Sequence, residues 1–169
     1  MSHYDDLHTQ EAGESLVHPG LVDAVINLLI DEESYKARPY LCSEGFPTVG
    51  YGQRIGPKNA DLTLYQFSLP KSVAHKWLAF NVALLIGQVA THPKIAAAFG
   101  NCNLARQTVL ISMAYQMGLD GLARFSNTLI ALADGRWEDA WLHALDSRWA
   151  TQTPQRAQRH ADVLAQGRW

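Results

Sequence analysis

Lysine and arginine are missing from the first 33 residues, which hold eight acidic side chains. A secretory leader needs the opposite, a basic start followed by an apolar run. The chain is therefore expected to lack its own means of crossing a membrane. No segment approaches ~18 uninterrupted apolar residues, so none reads as a transmembrane span. Cysteine is scarce: Cys42 and Cys102 match no zinc or redox spacing and are expected as two thiols. The histidines are scattered, with no His-Glu-x-x-His and no paired spacing, so no metal is expected. Gly50-Tyr51-Gly52 lacks the third glycine and the strand-to-helix setting of a nucleotide loop.

What is present suits a globular protein. Hydrophobic residues make up 47% of the 169 positions and charged residues 18%, enough for a sizeable core. Net charge is −2, but residues 34–169 carry a net +6. A mildly basic body favours an anionic polymer. It lacks the clustered basic face that nucleic acid demands, so no nucleic-acid partner is expected.

Residues 1–20 are polar, acidic and end in Pro19-Gly20, which predicts a loosely ordered tail ahead of a folded unit at 21–169. Helical period begins at Leu21, runs into Asp31-Glu32-Glu33 and is expected to fade before Pro39. Residues 38–56 mix strand formers (Tyr40, Thr48, Val49, Tyr51, Ile55) with glycine and proline, which predicts a small antiparallel hairpin sheet. A long helix is expected from Ser68-Leu69-Pro70, with Ser68 as cap and Pro70 in the first turn. It carries Val73, Trp77, Phe80, Leu84, Leu85 and Val89 and stops before Pro93. From about Leu104 the rest reads as helix. Trp137 and Trp141 fit core packing better than a binding role. Strands followed by runs of helix predict an α+β fold.

Three polar residues surround the hairpin: Glu33, Cys42 and Thr48. A partly buried carboxylic acid at a helix end can keep its proton and donate it to a glycosidic oxygen. A thiolate and a hydroxyl on neighbouring strands can hold and polarise a water molecule. On spacing alone the signal is weak, and a Glu near a turn is most often a solvated surface carboxylate.

The run from Glu33 through Tyr40, Cys42-Ser43-Glu44-Gly45 and Thr48-Val49-Gly50-Tyr51-Gly52 resembles the active-site pattern of the phage-type lysozymes. That pattern is Glu, eight residues, Asp or Cys, five residues, Thr, then Gly-x-Gly. The likeness continues through Ala114-Tyr115-Gln116-Met117-Gly118, Arg124-Phe125-Ser126-Asn127-Thr128-Leu129, Arg136-Trp137 and Ser147-Arg148-Trp149, to Gln152-Thr153-Pro154 and Arg156-Ala157. It covers Leu21 to Trp169.

The resemblance implies a lysozyme-like fold: a small amino-terminal lobe with the hairpin sheet, a long connecting helix, and a helical carboxy-terminal lobe. It implies an inverting muramidase that cuts the β-1,4 bond between N-acetylmuramic acid and N-acetylglucosamine in bacterial peptidoglycan. By position, Glu33 falls at the general acid, Cys42 where the best-known members have Asp, and Thr48 beside the hydrolytic water. Arg156 falls at the arginine that pairs with the catalytic Glu. Arg54, Tyr115, Thr128 and His143 fall along the sugar cleft, and Gln116, Trp149 and Gln152 shape it. Tyr40 and Gly50 fall in supporting positions; Gly50-Tyr51-Gly52 is expected to turn the hairpin and let backbone approach a sugar. No cofactor is implied. A monomer is expected, made in the host cytoplasm, inserted in no membrane, and reaching the wall through a separate holin. The same chemistry also suits a secreted antibacterial muramidase, and Cys42 leaves room for a wall-binding module without catalysis. Other departures from the T-even members are Ser34 for Gly, Gln53 for His and His143 for Asn.

Overall fold

The computed structural model describes residues 17–169. Most of the expected tail, residues 1–16, lies outside the described residues. Helix α1 (Leu21–Glu33) buries Leu21, Val25, Ile26 and Leu29, the row that helical period aligns on one face. It stops at Glu33 because Ser34 turns to φ 49°, ψ 127°. A positive φ costs a residue with a β-carbon on the order of 1 kcal/mol or more, and this is the position where a glycine was noted in related chains. The expected fade towards Pro39 is thereby corrected to an abrupt end.

Pro39 lies instead in strand β1 (Lys36–Leu41), which starts before the expected position 38. β1 pairs antiparallel with β2 (Pro47–Gly50), placing Tyr40 opposite Thr48 and Leu41 opposite Pro47. The register slips between Lys36 and Tyr40. Proline fits there because β1 is the edge strand and an irregular stretch needs no ladder donor. The short β3 (Gln53–Arg54) closes the sheet on the other side of β2, with Thr48 opposite Arg54. Gly50 holds the turn at φ 66°, and a β-carbon there would come within 2.4 Å of Gln53 Oε1.

Helix α2 (Lys71–Thr91) follows. Ser68 does not cap it; Pro70 is itself the capping residue and makes no side-chain cap bond. The helix buries Ala74, Leu78, Val82, Ile86 and Val89. Val73, Phe80 and Leu84, which mark its apolar character in the sequence, lie on the exposed side. Its mean hydropathy of 1.3 over this length would suffice to cross a membrane, although polar residues interrupt every apolar run. Its inner row is packed into the core.

Six further elements and one unanticipated helix complete the helical body. The unanticipated one is α3 (Ala96–Asn101), anchored by buried Phe99. α4 (Leu104–Met117) is capped by Asn103, whose Oδ1 accepts from Arg106 N–H at 3.1 Å, and buries Val109 to Ala114 without a break. α5 (Leu119–Ala123), α6 (Ser126–Ala133), α7 (Trp137–Leu145) and α8 (Arg148–Gln152) lead to α9 (Pro154–Gln166), with Pro154 in the first turn. α1, α2 and α4 pack on one another, and α9 packs on α4, α7 and α8. The architecture is α+β, as expected: one three-stranded antiparallel sheet ahead of a helical body. Trp137 and Trp141 are partly buried against the core, and Trp141 Nε1 donates to Asp162 at 2.8 Å.

Candidate active site

The abrupt end of α1 leaves Glu33 beside the sheet. Ahead of it lies a cleft of about 1330 Å³ between the sheet and helices α4 to α8. Glu33, Tyr40, Cys42, Thr48, Arg54, Tyr115, Gln116, Thr128, His143, Trp149 and Gln152 all line it. Two of the residues singled out in the sequence do not. Gly50 is buried behind the sheet against Leu69 and Ala74; Gly52, two residues on, fronts the cleft in its place. A β-carbon on Gly52, whose φ is 84°, would lie 3.4 Å from Glu33 Oε2. Strand alternation alone would put residues 50 and 52 on one side, but the chain reverses between them in the turn from β2 to β3, and the expectation for Gly50 is corrected to Gly52 on that ground. Arg156 stands behind Glu33, in the wall of the site.

Arg156 comes from α9 and reaches three partners. Nη1 donates to Glu33 Oε1 at 2.9 Å, and Nη2 lies 2.7 Å from Glu32 Oε2 and 2.9 Å from Ser112 Oγ. The Arg156 and Glu32 side chains are 12% and 6% exposed, so the pairs are shielded from solvent and bind more strongly than surface pairs. Ser112 Oγ donates to Glu32 Oε2 at 3.1 Å and lies 2.9 Å from His160 Nε2. With its one proton given to Glu32, Ser112 accepts from Arg156 and from an Nε2–H of His160. This leaves His160 Nδ1 buried without a partner. Burial, and then the charges of Arg156 and Arg159, push the His160 imidazole down to about 3. Sequence reasoning missed Glu32, Ser112 and His160. The only trace was spacing: Glu32 adjoins Glu33, and His160 follows Arg156 by one helical turn.

Across the cleft, Cys42 sits at the end of the hairpin. Burial pushes its thiol up. The amides of Phe46 and Glu44, then the Thr48 hydroxyl and the Arg54 charge, outweigh that and hold it below the ordinary thiol range. Thr48 Oγ1 is also 2.9 Å from the Phe46 carbonyl; its single proton serves the carbonyl or the sulfur, one at a time. Arg54 is ion-paired to Glu44 and lies over the Phe46 ring, 4.2 Å from its centroid. Tyr40 stands where both acids reach it: burial, then the charges of Cys42 and Glu33, raise its phenol. Burial chiefly, with Glu33 second, raises the Tyr115 phenol, which donates to the Tyr51 carbonyl at 2.6 Å. Gln53, noted above as standing in place of His, accepts from Tyr51 N–H at 2.7 Å.

The helical wall is equally ordered. Trp149 Nε1 donates to Gln116 Oε1 at 2.8 Å, and Phe125 meets the Trp149 ring edge-on at 5.9 Å. Ser126, Asn127 and the buried Thr128 open α6 towards the cleft. Long, open and bordered by hydroxyls, amides and aromatic edges, the groove suits a polymer of sugars better than a small apolar ligand. Cys102 is remote from it, buried in the core, its thiol raised to about 12 by burial. Both cysteines are free.

The fold and its carboxylate-centred cleft define a glycosidase of the lysozyme type. The family model described as phage lysozyme matches residues 31–162, and the chain belongs to the phage lysozyme family. It is similar to the pre-baseplate central spike protein Gp5 of Enterobacteria phage T4 (27% identical; 85% of this chain, 28% of that protein). It is similar also to probable T4-type lysozyme 1 of Dictyostelium discoideum (23% identical; 87% and 96%). A third relative is peptidoglycan hydrolase gp36 of Pseudomonas phage phiKMV (30% identical; 79% and 14%). The chain thus spans nearly all of the Dictyostelium protein but under a third of either phage protein.

Proposed function

We propose that this protein is an endolysin, a muramidase that cuts the β-1,4 bond between N-acetylmuramic acid and N-acetylglucosamine and so releases phage from its host. The observation that carries this reading is the placement of Glu33 on the cleft, held at one oxygen by Arg156. Oε2 is the oxygen Arg156 does not hold, and it lies nearest Gly52 at the cleft. Glu33 would hold its proton there and pass it to the leaving oxygen as the C1–O bond breaks. Cys42, as thiolate, and Thr48 would hold a water on the opposite face of the sugar. The water oxygen bonds to C1, its proton passes to Cys42 Sγ, and the anomeric centre inverts. Arg54, Tyr115, Gln116, Thr128, His143, Trp149 and Gln152 would bind flanking sugars, and Tyr40 would shape the floor between the two acids. The chain would act as a monomer on the wall after a holin opens the inner membrane.

The test is clearing of permeabilised Gram-negative walls by wild type and Glu33→Gln, with mass spectrometry of the released ends. Loss of about 10³-fold or more in the variant, with reducing muramic acid ends from wild type, is the expected result. Folded wild type that binds walls without clearing them would favour a wall-binding module.

A further inference from the structure

α2 is apolar on two opposite faces. Its inner row, from Ala74 to Val89, lies in the core. A half-turn round the helix, Val73, Trp77, Phe80 and Leu84 recur at spacings of three and four residues, which aligns them in one stripe. Val73, Phe80 and Leu84 are 47%, 69% and 55% exposed, and Trp77 is partly buried. A helix apolar all round is ordinarily covered on both sides. Among the described residues, the outer stripe lies open.

The surrounding charge is one-sided. α2 itself carries Lys71 and Lys76 and no acidic residue, and the sequence holds none between Asp61 and Asp120. Lys76 is exposed and borders the stripe, three residues beyond Val73 and four before Phe80. Lys71 opens the helix, its ammonium 6.0 Å over the Tyr35 ring. Aromatic and aliphatic side chains in a row, edged by lysine on a helix that carries no carboxylate, match the surface of an anionic bilayer.

We propose that the outer face of α2 docks on an anionic lipid surface, with Val73, Phe80 and Leu84 in the acyl boundary and Lys76 at the headgroup phosphates. The helix lies flat. Spanning the bilayer would strip the inner row from the core. A second copy of the chain is the poorer occupant, because it brings the same acid-free surface and offers Lys76 no carboxylate from α2.

The test is co-sedimentation of the full chain with vesicles of phosphatidylglycerol and phosphatidylcholine in equal parts, and with phosphatidylcholine alone, at low and about 0.5 M salt. Wild type should bind the anionic vesicles, and salt should weaken the binding. Phe80→Ser combined with Leu84→Gln should cut partition about tenfold or more, and Lys76→Glu should cut it and remove most of the salt dependence. Both variants should clear isolated walls as wild type does, since neither alters a cleft residue; the vesicle result stands whether or not the chain cuts walls. Equal binding by wild type and variants, or no preference for the anionic lipid, would overturn the proposal. So would a lipid-free dimer that the double variant dissociates in the ultracentrifuge, which would make the stripe a self-interface. Wall clearing lost with the stripe would assign it to wall binding and overturn the proposal equally.

Discussion

At the residue scale, the group proposed to work opposite Glu33 is a thiol, and its ionised form is the one that can take a proton from water. Activity should therefore fall as pH drops through the Cys42 thiol pKa, which the Phe46 and Glu44 amides, Thr48 and Arg54 place below the ordinary range after burial is overcome. Cys42→Asp supplies a group ionised to much lower pH. The acid limb of the kcat/KM profile should move to lower pH in that variant. Cys42→Ser cannot ionise there, and turnover should drop about 10- to 100-fold with the melting temperature unchanged. Coincident acid limbs in wild type and Cys42→Asp would mean that Cys42 does not activate the water. That Glu33, Cys42 and Thr48 share one cleft was legible through the resemblance, since spacing alone left Glu33 a solvated carboxylate. Their relation to Arg156 was legible only through resemblance, since 123 residues separate it from Glu33. Within Gly50-Tyr51-Gly52 the sequence could not say which glycine meets the acid, because the chain reverses between them.

At the scale of elements, α1, α4 and α9 meet in a buried polar knot. His160 faces Glu32 on α1, Ser112 on α4, Arg156 and Arg159 on α9, Trp149 on α8 and the carboxy-terminal Trp169. In the folded protein it stays neutral to about pH 3, whereas in the unfolded chain it takes a proton near its ordinary 6.5. The depressed value means that its stabilising contribution is complete above about pH 6.5 and is lost as pH falls towards 3. The loss is on the order of a few kcal/mol. His160→Gln keeps a donor towards Ser112 and removes the titration. In urea melts, the stability difference between wild type and His160→Gln should shift steadily against wild type from pH 7 to pH 4. A difference constant with pH would show that His160 does not titrate on unfolding. Little of this knot could be read from the chain, because Ser112 looks like an incidental polar residue in an apolar helix. The helices themselves were legible wherever an apolar row repeats, as in α1. α2 was legible as a helix but not in its facing: both rows are apolar, so period alone could not say which one the core takes. β1 was misjudged at its start because the helix was expected to run on towards Pro39, whereas the turn at Ser34 ends it at Glu33 and frees Lys36 to begin the strand.

At the scale of the whole molecule, charge is divided along the chain rather than balanced. Residues 1–16 contain Asp5, Asp6, Glu11 and Glu14 and no lysine or arginine, so removing them takes the formal net charge from −2 to +2. The body that carries the cleft is basic, and the substrate proposed for it is an anionic polymer. Long-range attraction depends on the summed field and decays over about 10 Å at 0.1 M salt. A chain beginning at Val17 should therefore bind isolated walls a few-fold more tightly at low salt than the full chain does. The two should converge by about 0.5 M salt, where only contacts within the cleft remain. Pull-down of each chain with purified walls over a salt series measures this directly, and kcat on a short soluble glycan should not change. Parallel salt curves would mean that the acidic stretch does not screen the wall-facing surface, leaving wall affinity to the short-range groups that line the cleft.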